Sequence, residues 1–285
     1  MIKKNVTQKN YAKFYILSVL AITWLVTIIL FINPSIGLKY FWLLMLIPAI
    51  LAIIFNKLQH KDRKESLNDI ARRTNPKSLL FGIFYPIIFI ILCGIIAQIT
   101  GLGKLNVHGS PSLKAVGDFI WALIISIAAA WGEEYGWRGY LLPKLTKQHG
   151  KVKATALVGI VWGMYHIPAV FLLAKITGVG NPILICFIQF AAVFAISFPA
   201  SYCYYSAGSL VPAIFLHGVW NVVSVAILGD IYKNTPGIIT GNILYISAEG
   251  VLGTILSVIL IFWFIKQFNK SDAIGLEINV GNVKE

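Results

Sequence analysis

The chain has 285 residues, of which 58% are hydrophobic and 12% charged, and its mean hydropathy is +0.78. A soluble domain carries about 25% charged residues, so a water-soluble globular enzyme and a nucleic-acid-binding domain are both excluded in favour of a polytopic membrane protein. The formal net charge of +13 then has to be explained by where the basic residues fall along a membrane-crossing chain.

The N-terminal stretch Met1 to Lys13 is basic. The apolar run after it has no Ala-x-Ala exit, which predicts a retained helix and not a cleaved signal. Runs of crossing length, about 17 to 25 residues, follow near Phe14 to Ile32, Tyr40 to Phe55, Leu79 to Ile99 and Ala115 to Leu142. Four more lie near Lys153 to Ile176, Ile183 to Tyr205, Gly208 to Leu228 and Ile243 to Ile265. The second is the shortest, and a re-entrant segment is the alternative there. The expected fold is an all-α membrane protein, a bundle of about eight transmembrane helices forming a single integral membrane domain over residues 1–285.

Eight crossings put both termini on one side. With the N-terminus inside, 19 of the 24 Lys and Arg fall in inner segments; the outer ones hold Lys39, Lys104, Lys114, Lys175 and Lys233. By the positive-inside rule both termini are expected to be cytoplasmic. Topology and attraction to anionic lipid head groups account for the net charge without nucleic acid. The run Asn56 to Lys77, where Lys and Arg interleave with Asp62, Glu65 and Asp69, reads as a solvated cytoplasmic connection, in part helical. Cys93, Cys186 and Cys203 are scattered in apolar runs and read as small buried hydrophobes, not as a disulfide framework or a thiolate metal site.

Against this apolar background six side chains stand out: Glu133, Glu134, Arg138, His166, His217 and Asn221. A Glu or Arg near the centre of a spanning helix costs roughly 2.5 to 3.5 kcal/mol by insertion scales, so such groups must face one another or water. The fourth span ends Trp131-Gly-Glu133-Glu134-Tyr-Gly-Trp-Arg138. Glu134 and Arg138 share a helical face and are expected to pair, while Glu133 points about 100° away and escapes that arginine. A carboxylate in apolar surroundings without its own cation suits a general base near neutral pH.

The fifth span carries Trp162-Gly-Met-Tyr-His166-Ile-Pro168, and the seventh carries Leu216-His217-Gly-Val-Trp-Asn221. Pro168 should disturb the helix beside His166. His217 and Asn221 share a face, and Asn is an orienter or oxyanion donor, not a base. Measured from helix ends near Pro143, Lys153 and Gly208, the residues Glu133, His166 and His217 all lie roughly 13 to 20 Å deep at 1.5 Å per residue, one level of a core about 30 Å thick. Such a set fits activation of water for hydrolysis. It could also hold a divalent metal such as zinc through Glu133, His166 and His217, although no His-Glu-x-x-His motif occurs.

The ordered set Glu133-Glu134-x-x-x-Arg138, then Trp162 and His166, then His217-x-x-x-Asn221, on successive membrane helices in residues 110–228, resembles the type II CAAX prenyl endopeptidase family. Its bacterial branch is the CAAX protease and bacteriocin-processing (CPBP, or Abi) family. Trp162 stands where that family usually has Phe, a change that keeps an aromatic ring. The resemblance implies an eight-helix intramembrane protease of the glutamate type with a cavity open toward the cytosol. In it Glu133 activates water with help from His166, and His217 and Asn221 stabilise the oxyanion. Glu134 and Arg138 shape the site, and Arg138 is positioned to meet a peptide carboxylate.

No obligatory metal or other cofactor is expected on this reading. The partners it implies are membrane lipids and a membrane-associated peptide or lipidated protein, with no nucleic acid. The composition, rich in Ile, Lys and Asn, points to an AT-rich bacterium and hence to a bacterial cell membrane. Two other classes compete: a non-proteolytic scaffold or regulator, as in self-immunity proteins and sensor-kinase partners, and a proton-coupled transporter. Retention of Glu133 and both histidines argues against the scaffold. The absence of an internal repeat argues against the transporter.

Overall fold

The computed structural model describes residues 2–59, 74–106 and 112–281. Most of the Asn56 to Lys77 connection therefore lies outside the described residues. The rest is helical almost throughout, in chain order α1 (Ile2–Leu30), α2 (Pro34–Tyr40), a 3-10 turn (Phe41–Leu46), α3 (Ile47–Gln59) and α4 (Pro76–Ile99). There follow α5 (Leu113–Glu134), a π-helical turn (Tyr135–Leu141), α6 (Leu142–Thr177), α7 (Pro182–Ala207), α8 (Val211–Leu228), α9 (Ile243–Ile246) and α10 (Val251–Gly281). One feature falls outside the all-α expectation. The connections after α4 and α8 pair as a short antiparallel ladder, β1 (Gly103–Leu105) against β2 (Ile239–Gly241).

Several helix starts share one local rule. Asn33, Asn75 and Asn181 each precede a proline, and each side chain accepts backbone N–H groups of the first turn. Asn satisfies donors that the helix cannot, and Pro at the first position has no N–H to lose. Gly178 and Gly208 close α6 and α7 in the left-handed conformation, with φ of 65° and 62°.

Seven helical stretches among the described residues are long and apolar enough to cross a membrane, against the eight runs read from the sequence. The difference lies in Leu113–Thr177, 65 residues that are counted as one. At 1.5 Å per residue a straight helix of that length would reach about 98 Å, three times the hydrocarbon core. It is not straight: Gly150 breaks it at φ 76°, ψ 169°, so the stretch holds the fourth and fifth crossings. The second stretch, Pro34–Gln59, contains the 3-10 turn between α2 and α3.

Cys93 and Cys203 are fully buried in the core, while Cys186 is half-buried with its thiol near the Ile167 carbonyl. Close helix contact depends on two glycines. A Cβ on Gly218 of α8 would stand 2.7 Å from the Cα of Ile127, and one on Gly132 of α5 would stand 2.5 Å from the Met45 carbonyl oxygen. These contacts draw α5 against α8 and against the 3-10 turn, which sets the depth at which Glu133 and Glu134 meet His217.

Gly218→Ala should therefore push α5 off α8 and cost about 1 to 3 kcal/mol, as overpacking of a fitted contact does. Gly117→Ala, where nothing lies within 4 Å of the added methyl, should leave thermal unfolding in detergent unchanged. Equal unfolding of the two variants would show that the α5–α8 contact does not govern stability.

Candidate active site

The π-helical turn begins one residue after Glu134, so the two carboxylates close α5 and Arg138 opens from a widened turn. Turns of this kind are uncommon and concentrate at functional sites. The expected pair forms: Arg138 Nη1 donates to Glu134 Oε1 at 2.9 Å, and both side chains are fully buried. Arg138 Nη2 reaches Ser197 Oγ of α7 at 3.3 Å, and the guanidinium lies 4.3 Å from the centre of the Trp162 ring. The same Glu134 oxygen accepts from His217 Nδ1 at 3.0 Å.

Arg138 thus meets a carboxylate, a hydroxyl and an aromatic face, and it is not part of the lining of the cavity that Glu133 shares. Its Nε is a buried donor without a hydrogen-bond partner. The side chain acts from behind, as the counter-charge of Glu134, which in turn holds the ring of His217.

Glu133 is arranged differently. It has no cation among the described residues, and its Oε2 accepts the indole N–H of Trp137 at 3.2 Å and that of Trp162. Trp162 therefore does more than keep an aromatic ring. Phenylalanine has no N–H to give, so the residue that departs from the usual family pattern supplies half of the anchoring of this carboxylate. With Oε2 committed, Oε1 remains for a water or a substrate group.

His166 lies one turn beyond Trp162 and its Nδ1 is 2.9 Å from the Trp162 carbonyl oxygen. A carbonyl only accepts, so that nitrogen carries the proton and Nε2 is left as an acceptor. Pro168 has no N–H for the Met164 carbonyl. Trp24 of α1 fills the vacancy, its indole N–H donating to that oxygen at 3.1 Å.

Glu133, His166, His217 and Asn221 line one cavity of about 370 Å³. Its exposed lining is apolar, notably Trp42, Ile125 and Val225 on stretches of crossing length. The cavity follows α6 from Trp162 to Leu173 and α8 from His217 to Val225, then meets the connection Gly229 to Tyr232. It extends from the polar cluster toward the end of the bundle at Gly178 and Gly229, away from Pro143 and Gly208.

Among the described residues no group of three or more His, Cys, Asp or Glu is placed to hold a metal ion. Glu133, His166 and His217 share the cavity; Glu133 Oε2 faces two indole N–H groups and both Nδ1 atoms are bonded elsewhere, which leaves Glu133 Oε1 and the two Nε2 atoms as the acceptors of this set.

One lining residue was missed in the sequence. Glu249, just before α10, accepts from Trp220 Nε1 at 3.2 Å, from Gln189 Nε2 at 3.1 Å and from the Tyr232 hydroxyl at 3.0 Å. A glutamate inside the apolar run Ile243 to Ile265 was itself the signal.

These features define a polytopic helical membrane protein with carboxylates, imidazoles and an amide gathered in an apolar cavity. Residues 115–223, which contain all six candidate residues, match the family model described as type II CAAX prenyl endopeptidase Rce1-like. The chain is also 28% identical over 173 residues to a CAAX prenyl protease 2 of Methanococcus maripaludis, covering 57% of this chain and 64% of that protein. Both comparisons liken the chain to CAAX proteases.

Removing one partner of a buried ion pair strands the other charge, at roughly 3 to 5 kcal/mol. Glu134→Gln should therefore lower thermal stability in detergent well below that of Glu133→Gln, which leaves no arginine unpaired. Equal melting temperatures would refute the division of the two carboxylates into a structural and an available one.

Proposed function

We propose that the protein is an intramembrane endopeptidase of the glutamate type that hydrolyses a membrane-associated peptide or lipidated protein. The observation that carries this reading is Glu133: a carboxylate without a cation, anchored through one oxygen by two indoles, lining a cavity shared with His166, His217 and Asn221. In the proposed reaction, Glu133 Oε1 takes a proton from water as the water oxygen attacks the peptide carbonyl carbon. His166 Nε2 orients that water.

The tetrahedral oxyanion is received by the Asn221 amide and the cavity-facing edge of His217, whose Nδ1 is fixed by Glu134. Glu133 then returns the proton to the leaving amine. That sequence balances without a metal, and no step is routed through one. The apolar exposed lining supports entry of substrate from lipid, which suits a peptide already held in the membrane.

For orientation, the Lys and Arg asymmetry favours cytoplasmic termini, so the Pro143 and Gly208 ends are inner and the Gly229 connection is outer. The site then lies below the cytoplasmic face, and its cavity runs from there toward the opposite side. A bacterial cell membrane remains the proposed location. An impermeant thiol reagent on intact cells should label Lys233→Cys, which is exposed after α8, and not Lys147→Cys. The reverse pattern would invert the topology.

Glu133→Gln should abolish cleavage in a folded protein, because glutamine is close to isosteric but cannot accept the proton. Comparing the peptides of a parent strain with those of a Glu133→Gln strain tests this and finds the substrate. An unchanged peptide profile at equal expression would sink the protease reading. Trp162→Phe should retain the fold and lose part of the rate. Purified protein, stripped of metal and checked by elemental analysis, should still cut; a requirement for one zinc per chain, restored on addition, would overturn the metal-free route.

A further inference from the structure

The mechanism leaves Glu249 unused, yet it lines the same cavity as Glu133. Three elements converge on it: Gln189 from α7, Trp220 from α8 and Tyr232 from the connection after α8. Gln189 is itself almost fully buried, so the donors form a built pocket rather than a surface accident. Burial, and after it the Glu249 carboxyl, pushes the Tyr232 phenol well above its usual pKa, which keeps it a hydrogen donor.

All three donors are neutral. No lysine or arginine lines the cavity among the described residues, and Arg138 lies behind it. Asp230, the other nearby acid, already has Lys233 at 3.5 Å and two backbone N–H groups of its own turn. An ionised carboxylate held by dipoles alone in an apolar cavity attracts a cation strongly, because little water screens it.

The remaining acceptor capacity sets the kind of cation. Oε2 takes two hydrogen bonds and Oε1 takes one, which leaves a single site of the roughly four that a carboxylate offers. A bidentate guanidinium fork needs two adjacent acceptors, whereas an ammonium can bond through one. Trp220 stands three residues, about 4.5 Å of rise, beyond His217 on α8, so the site is close to the proposed point of cleavage.

We propose that Glu249 is a specificity subsite which receives a lysine-type ammonium of the substrate, within a few residues of the bond that Glu133 hydrolyses. The location relative to cleavage rests on the protease reading, but the ammonium preference does not.

The test separates the two by measuring binding in the Glu133→Gln background, where nothing is cut. Labelled apolar hexapeptides carrying one lysine, arginine or norleucine at successive positions are titrated in detergent and followed by fluorescence polarisation. The lysine peptide at the favoured position should bind about tenfold tighter than its norleucine counterpart, and the arginine peptide should fall between them. Adding Glu249→Gln should reduce the lysine preference to about twofold or less.

Because Glu249→Gln touches a packed pocket, a second measurement uses the unaltered Glu249: n-hexylammonium should displace the lysine peptide at concentrations where n-hexanol does not. Equal affinity for lysine and norleucine peptides, a preference that survives Glu249→Gln, or equal competition by the alcohol would each overturn the subsite. If the preference holds while the Glu133 protein cleaves none of the peptides, the protease reading fails and the subsite stands.

Discussion

The buried pair of Glu134 and Arg138 is the constraint around which the rest of the site is arranged. Neither charge could stay in an apolar bundle alone, and the pair is made tolerable by additional partners: Ser197 on α7, the Trp162 face on α6 and His217 on α8. A desolvated ion pair contributes little net stability compared with apolar packing. What it supplies is position. Four helices are held by groups that have no acceptable alternative partner in the membrane, and the two catalytic candidates nearest them, Glu133 and His217, take their places from that arrangement.

A division of labour between adjacent carboxylates follows from one helical step. Glu134 faces the arginine and is enclosed; Glu133 faces the cavity and its hydrogen bonds come from indole N–H groups. Two neighbouring acids thereby differ in their partners, one held by an arginine and an imidazole and the other by two indoles. The widened turn that follows them separates Arg138 and Trp137 onto different partners.

Much of this was legible in the sequence for physical reasons. Lipid demands long apolar runs, so the spans stood out, and i, i+4 spacing paired Glu134 with Arg138. The common depth of Glu133, His166 and His217 followed from counting along helices, because the rise per residue is fixed. What escaped depends on contacts between helices. The π turn is not visible in spacing, and the indole hydrogen bonds of Trp137 and Trp162 require knowing where Glu133 points. The course of the cavity depends on which faces of different helices line it, such as those of Trp42, Ile125 and Val225, and no periodicity encodes that. Glu249 was different: it sat in plain view in an apolar run and went unweighed because no second polar residue lay one turn away.

The bond from Trp24 to Met164 reaches outside the segment that resembles known proteins. Pro168 strips one carbonyl of its helical donor next to His166, and a bare carbonyl facing hydrocarbon is costly. The first helix, which lies outside residues 115–223, provides the missing hydrogen. The boundary of sequence similarity is therefore not a mechanical boundary. Helix α1 acts as a stay on the proline-interrupted helix that carries His166, and a minimal version of this fold trimmed to the matching helices would keep the bare carbonyl without the donor that satisfies it.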